Sequence, residues 1–89
     1  MEQYIYTAIF YQEEGEDEIT VAFPDLNIST QGNTLVEAFL FAKDYLKTYC
    51  SYAKKFDMEI ETPSKFSDIE RKFPNAKCML VDALIFPEK

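Results

Sequence analysis

The fold is decided by residues 19–42, which read ITVAFPDLNISTQGNTLVEAFLFA. The first five residues alternate in polarity, so that Ile19, Val21 and Phe23 share one side of a strand and smaller residues share the other. Pro24 ends this strand because a proline has no N–H group to donate to a sheet. The alternation predicts a strand with one well-buried face.

The second half of the same stretch predicts a helix. Thr34 and Glu37 have the spacing of a capping box, in which side chains hydrogen-bond backbone N–H groups at the start of a helix. Just before them, Gly32 and Asn33 suit a positive φ angle in a tight turn. Beyond them, apolar residues recur at steps of three and four. The stripe predicted to face the sheet is Leu35, Phe39, Ala42, Leu46, Tyr49 and Ala53.

The flanking segments complete a sheet. Residues 4–11, YIYTAIFY, predict a strand without a plainly polar face, and the run QEEGEDE after it predicts a hairpin loop. A third short strand is expected at about residues 27–31. Residues 78–86, CMLVDALIF, predict a last strand that is apolar enough to lie inside the sheet or to pair with another chain.

A second, shorter helix is expected before the last strand, because Ser67 and Glu70 repeat the capping-box spacing. The predicted fold class is therefore α+β. A three- to four-stranded antiparallel sheet, in the order β-β-β-α-(α)-β, is covered on one face by the long helix.

The amino-acid composition limits the classes of function that the chain can have. With 89 residues, 47% apolar and 28% charged, the chain fits a single globular domain. Histidine is absent, and Cys50 and Cys78 form no CxxC motif, so we expect reduced thiols, a cytoplasmic protein and no cofactor or metal. No apolar run approaches the ~20 residues that span a bilayer. The acids do not converge on a catalytic site, and we expect no enzyme.

Charge is concentrated at the start of the chain. Residues 1–33 contain seven acids and neither Lys nor Arg, which accounts for the net charge of −7. Such a surface disfavours direct binding of nucleic acid and favours a basic protein partner. The residues predicted to bind that partner are Glu13, Glu14, Glu16, Asp17, Glu18 and Asp25. The alternatives are a solvated loop for the run 13–18 and a turn-closing role for Asp25.

Aromatic residues make up 16% of the chain, which is more than one small core readily hides. Phe41, Tyr45 and Tyr52 fall outside the predicted sheet-facing stripe of the helix. We expect a homodimer that forms either by helix packing across these three residues or by strand pairing.

In this order, the segments FPDL (23–26), TQGNT (30–34) and Glu37-Ala38 resemble the HicB family of bacterial antitoxins. Residues 60–64 also resemble that family's I-P-x-P-S segment, with Glu61 in place of its first proline. The resemblance covers residues 4–86. The sequence departs from the family at Asn33, where Asp is commoner. Its link between Leu26 and Thr30 is also shorter, so contacts that family members make with a partner there need not carry over.

The resemblance implies a partial RNase H-like fold without a nuclease site. It also implies a partner, a small basic HicA-type toxin that cleaves mRNA and is neutralised sterically. Typical members carry a C-terminal DNA-binding domain, whereas residues 1–89 are expected to form a single HicB-like domain without one. A different hypothesis is a stand-alone oligomeric regulatory or ligand-binding module with no toxin partner. A residual nuclease is a third, disfavoured because the first strand carries Thr7 and no acid.

Overall fold

The computed structural model describes residues 2–86 and contains four strands and two helices. In chain order these are β1 (Glu2–Tyr11), β2 (Ile19–Phe23), β3 (Ile28–Gly32), α1 (Leu35–Lys55), α2 (Phe66–Lys72) and β4 (Lys77–Ile85). The predicted α+β class and the element order β-β-β-α-α-β are confirmed.

The four strands form one antiparallel sheet in the order β3-β2-β1-β4. β1 pairs with β4 along its length, from Glu2 opposite Ile85 to Phe10 opposite Lys77. β3 and β4 are thus the two edge strands of the sheet. The expectation that β4 lies inside the sheet of a single chain is therefore wrong, and the alternative, pairing with another chain, stays open.

One face of the sheet, the helix face, packs against α1 and carries the main core. The strands contribute Tyr6, Ala8, Phe10, Val21, Phe23, Val81, Ala83 and Ile85. The helix contributes Ala38, Ala42, Leu46, Cys50 and Ala53. The stripe of α1 that contacts the sheet is rotated around the helix axis from the predicted stripe: Leu35 is 39% exposed, whereas Ala38 is fully buried. Small side chains at the contact let the helix backbone lie close to the sheet.

The opposite face, the second face, is covered in part by α2. Ile69 is 1% exposed but lies outside the main core cluster, and Phe73 lies beside Ile9 of the second face. The helix begins at Phe66, with Lys65 as its N-cap and no side-chain cap. The prediction of a capping box at Ser67 and Glu70 is therefore wrong, because Ser67 already lies inside the first turn of the helix.

The start of α1 follows the prediction in its main contact. The Thr34 hydroxyl accepts a hydrogen bond from the Glu37 N–H at 3.0 Å. The Glu37 carboxylate accepts from the N–H of Asn33, at 3.0 Å, one residue before the usual partner. Both bonds satisfy N–H groups that would otherwise lack partners at the helix start.

Gly32 has a different role from the one predicted. It is the last residue of β3, and the positive φ angles of the described residues occur at Gly15, Asn27 and Asp57 instead. A Cβ atom at position 32 would lie 2.5 Å from the backbone nitrogen of Ala38. Glycine is needed here because the first turn of α1 crosses directly over the strand.

Candidate protein-binding surfaces

The acidic loop, residues 12–18, joins β1 to β2 and is exposed along its whole length. It is held by two internal hydrogen bonds: the Gln12 side chain donates to the Glu16 carbonyl at 2.8 Å, and the Glu16 N–H donates to the Glu13 carbonyl at 3.0 Å. Gly15 supplies the positive φ angle, +82°, that closes the loop.

The five acids of this loop are brought together without neutralising partners. They are Glu13, Glu14, Glu16, Asp17 and Glu18. Within residues 2–86, no Lys or Arg side chain forms an ion pair with any of them. Five carboxylates on a short exposed loop produce a local negative potential that attracts a basic surface.

A polar depression adjoins the acidic loop on the second face. Its volume is ≈ 530 Å³. It is lined by Tyr11, Glu13, Glu18, Thr20, Ser29, Thr30 and Gln31. Side-chain hydroxyl and amide groups therefore extend the acidic surface onto β2 and β3, and they offer hydrogen bonds beside the charges.

Asp25 lies apart from the acidic loop. It follows β2 at the end opposite to the loop, and both of its carboxylate oxygens are occupied. They accept hydrogen bonds from the Ser64 N–H at 2.7 Å and from the Ser64 hydroxyl at 2.6 Å. The Tyr6 hydroxyl donates to the Glu61 carbonyl nearby in sequence. Together these contacts fix the connector between α1 and α2 against the sheet.

Phe41, Tyr45 and Tyr52, with Phe56, form a strip that we call the helix flank. All four side chains are exposed, Tyr52 by 58%. Their spacing of four and seven residues places them along one side of α1. The rings of Tyr52 and Phe56 are 4.6 Å apart between centroids. The helix flank is an apolar surface that the single chain leaves uncovered.

A second apolar surface follows the outer edge of β4, and the sequence does not reveal it as a cluster. This β4 edge surface consists of Leu40, Leu80, Leu84 and Phe86, all exposed. A groove of ≈ 380 Å³ runs along it between α1 and β4. The visible signs were the apolar last strand and Leu40, which fell outside the predicted stripe. Which edge of the sheet they line is decided by strand order.

Two lysines of α1 form ion pairs with the neighbouring strands. The Lys43 ammonium lies 2.8 Å from the Asp82 carboxylate of β4, and Lys54 pairs with Glu2 of β1. The hydrogen bond from Lys43, supported by one from Gln3, lowers the pKa of Asp82. The bonds from Lys54 and Tyr4 likewise lower the pKa of Glu2. These lysines thus lie against neighbouring acidic side chains, and they do not form a cluster of free positive charge.

Reactive groups are sparse in the described part of the chain. Residues 2–86 contain no group of three potential metal ligands and no helix long and apolar enough to cross a membrane. Both cysteines are free. Burial raises the pKa of the Cys50 thiol to about 11. Cys78 lies on the second face and Cys50 on the helix face, so the sheet separates the two thiols.

Comparison with known proteins gives a match in structure and none in sequence. No protein-family model matches the chain, and no curated protein matches it significantly. A solved structure described as a toxin-antitoxin complex from Streptococcus pneumoniae contains a chain of similar fold, with a TM-score of 0.76 and 20% identity. The similarity covers 92% of this chain and 69% of that chain. Almost the whole of the described fold is therefore shared with one chain of that complex.

Proposed function

We propose that this protein is a HicB-like antitoxin that binds and sterically neutralises a small basic HicA-type toxin. The observation that carries the proposal is the fold similarity to a chain of a toxin-antitoxin complex over 92% of the present chain. The choice of the HicB family rests on the order of the segments FPDL, TQGNT and Glu37-Ala38 in the sequence. On this proposal residues 1–89 form one HicB-like domain that works in the cytoplasm.

The acidic loop supplies the proposed contact. A toxin that holds RNA needs a basic surface, and five unneutralised carboxylates attract such a surface and compete with RNA phosphates for it. Asp25 was predicted to join this contact. Since Ser64 occupies both of its oxygens, we assign its contribution to holding the connector rather than to direct charge steering.

The proposed inhibition involves no reaction. The antitoxin covers the RNA-cleaving surface of the toxin, so affinity and residence time set the degree of protection. The loop charges act mainly on the association rate, because they lie at an exposed tip where salt screens them. Tight binding then depends on apolar contacts made after the first encounter.

The proposal is tested by co-expressing this chain with the small basic protein encoded beside it. Rescue of growth together with co-purification of both chains supports an antitoxin. Absence of a complex between the two purified proteins overturns it. Association kinetics then test the loop, using a variant in which Glu13, Glu16 and Glu18 are replaced by Lys.

The matched control replaces Glu59, Glu61 and Glu70 by Lys, all of them exposed and outside the loop. Either triple variant changes the net charge from −7 to −1, since each reversal adds two charges. We expect the loop variant to associate on the order of tenfold more slowly at low salt, with a weaker salt dependence. Equal rates for the two variants would assign the effect to net charge and remove the loop from the interface.

A second candidate function is a stand-alone oligomeric regulatory or ligand-binding module without a toxin partner. The specific observation in its favour is the presence of two uncovered apolar surfaces, the helix flank and the β4 edge surface. Phe41, Tyr45 and Tyr52 remain the predicted interface for assembly through the helix. A stable homo-oligomer that binds no toxin in the co-expression experiment favours this second function.

A further inference from the structure

We propose that two copies of this protein dimerise by antiparallel pairing of their β4 strands, with Val81 of each copy at the two-fold axis. The pairing extends each four-stranded sheet into one sheet of eight strands. It does not depend on a toxin partner. It places the dimer interface at the β4 edge surface and not at the helix flank.

The first reason is the exposed edge itself. β4 pairs with β1 over nine residues, and within residues 2–86 no strand lies beside its outer N–H and C=O groups. Such an edge attracts another strand unless it is short, charged or covered. The β3 edge differs, because it has five residues and exposes the polar side chains of Ser29 and Gln31.

The second reason is the apolar surface on both sides of this edge. Leu80, 59% exposed, and Leu84 extend from the second face, while Leu40 of α1 lies above the edge on the helix face. A second copy that pairs with β4 brings its own copies of these side chains against them. The backbone pairing and the apolar contact therefore form together, as a stable interface requires.

The third reason is charge, which also selects the antiparallel direction. The acidic loop leaves β1 beside the Lys77 end of β4, because Phe10 lies opposite Lys77. Antiparallel pairing places the two acidic loops at opposite ends of a strand about 30 Å long. That distance exceeds the Debye length of about 8 Å at physiological salt. Parallel pairing would place ten loop carboxylates at one end of the dimer.

The register follows from symmetry and from Asp82. A two-fold axis perpendicular to the sheet brings residues of the same face opposite each other, and full overlap of Lys77–Ile85 places Val81 on the axis. Leu80 then lies opposite Asp82 of the other copy, and Cys78 lies opposite Leu84. A shift that centres the pair on Asp82 would oppose two like charges, which destabilises a strand pair.

One contact has to adjust. The Lys43 side chain reaches Asp82 from α1, on the helix face, past the outer edge of β4. Both side chains are about half exposed, so this ion pair contributes little and is readily rearranged. Asp82 keeps its hydrogen bond from Gln3, at 3.3 Å, on the second face.

The test combines the oligomeric state with a disulfide that only this register permits. Leu84→Cys places a thiol opposite Cys78 of the other copy, within reach of a disulfide. Within one chain the two positions are about 20 Å apart along the strand, so the bond has to be intermolecular. We expect mild oxidation to convert this variant into a covalent dimer, and Leu84→Cys combined with Cys78→Ser to remain uncross-linked.

Two controls separate the interface from chance collisions and from general apolar association. Ser29→Cys carries an exposed thiol on the other sheet edge and is expected to cross-link no more than the parent chain. Leu80→Asp opposes Asp82 twice per dimer and is expected to raise the dimer Kd about tenfold, whereas Leu80→Lys, which gains Asp82 as a partner, is expected to retain dimerisation. Sedimentation velocity measures the dimer Kd of both Leu80 variants.

The proposal is overturned by a monomeric parent chain at high concentration, or by a dimer in which Leu84→Cys does not cross-link through Cys78. A dimer that is lost in Phe41→Ser but unaffected by Leu80→Asp would place the interface on the helix flank instead. None of these results depends on binding of a toxin, so failure here and failure of the proposed antitoxin function are distinguishable.

Discussion

Replacing Gly32 by Ala tests how closely α1 approaches the sheet. In an ordinary strand this change stabilises a protein, because Ala loses less backbone entropy on folding than Gly. Here the added Cβ atom would lie 2.5 Å from the Ala38 nitrogen and 2.8 Å from its Cα atom. Both are backbone atoms, so no side-chain rotation relieves the contact.

The size of the effect follows from the movement required. Restoring an ordinary contact of about 3.5 Å moves the start of α1 by about 1 Å. That shift strains the two hydrogen bonds of the capping box, each 3.0 Å long, and loosens the packing of Ala38 and Ala42. Overpacking and weakened caps together give an expected loss of about 2–4 kcal/mol. For a domain of this size the loss corresponds to a fall in Tm of roughly 10–25 °C.

The assay is thermal unfolding followed by circular dichroism, with urea unfolding as a second measure. Gly15→Ala is the control: it has the positive φ angle, +82°, but no neighbouring atom within 4 Å, and its expected cost is only about 1 kcal/mol. Adding Ala38→Gly to Gly32→Ala should not restore stability, since the clashing atoms belong to the backbone. Rescue by Ala38→Gly, or equal Tm values for the two alanine variants, would refute the reasoning.

Three further predictions concern the contacts around the core. Asp25→Ala removes the two oxygens that accept hydrogen bonds from Ser64 and should lower the free energy of unfolding by about 1–3 kcal/mol, measured in urea, while the rate of association with the proposed toxin stays within about twofold. Thr34→Ala removes the N-cap acceptor and should cost about 1 kcal/mol, seen as a lower urea midpoint at unchanged slope. Burial raises the pKa of Tyr6 from 10.0 to about 12, so the fold favours the neutral phenol. This contribution to stability is fully present below pH 10 and is lost as the pH rises towards 12. Tyr6→Phe, which also loses the bond to the Glu61 carbonyl, should show a smaller fall in Tm over that range, and an equal fall in both proteins would exclude Tyr6 as its source.

The local elements were predictable because short-range chemistry defines them. The alternation in 19–23, the acidic run after β1 and the Thr34–Glu37 cap each depend on residues a few positions apart. The second capping box failed for the same kind of reason. Ser67 and Glu70 have suitable spacing, but Phe66 already lies in α2, ahead of Ser67. Spacing alone cannot show which of two neighbouring residues begins a helix.

The candidate sites divide in the same way. The five loop acids are close in sequence, and so their clustering at one exposed tip was predictable. Asp25 was grouped with them by charge, yet its carboxylate is held by Ser64, 39 residues away. The β4 edge surface combines Leu40 of α1 with Leu80 and Leu84 of β4, two elements that are far apart in the chain. No local pattern links those positions, and only the strand order places them along one edge.

The sequence by itself determined the α+β class, the number and order of the main elements, the start of α1 and the concentration of negative charge in the hairpin between β1 and β2. Tertiary structure decided that β4 is an edge strand, that Gly32 is needed for close approach of α1 rather than for a turn, and that Ala38 rather than Leu35 faces the sheet. The physical reason is the distance along the chain over which each interaction acts. Hydrophobic periodicity and capping act within a few residues, whereas strand order and helix rotation are set by packing between segments that are distant in the chain.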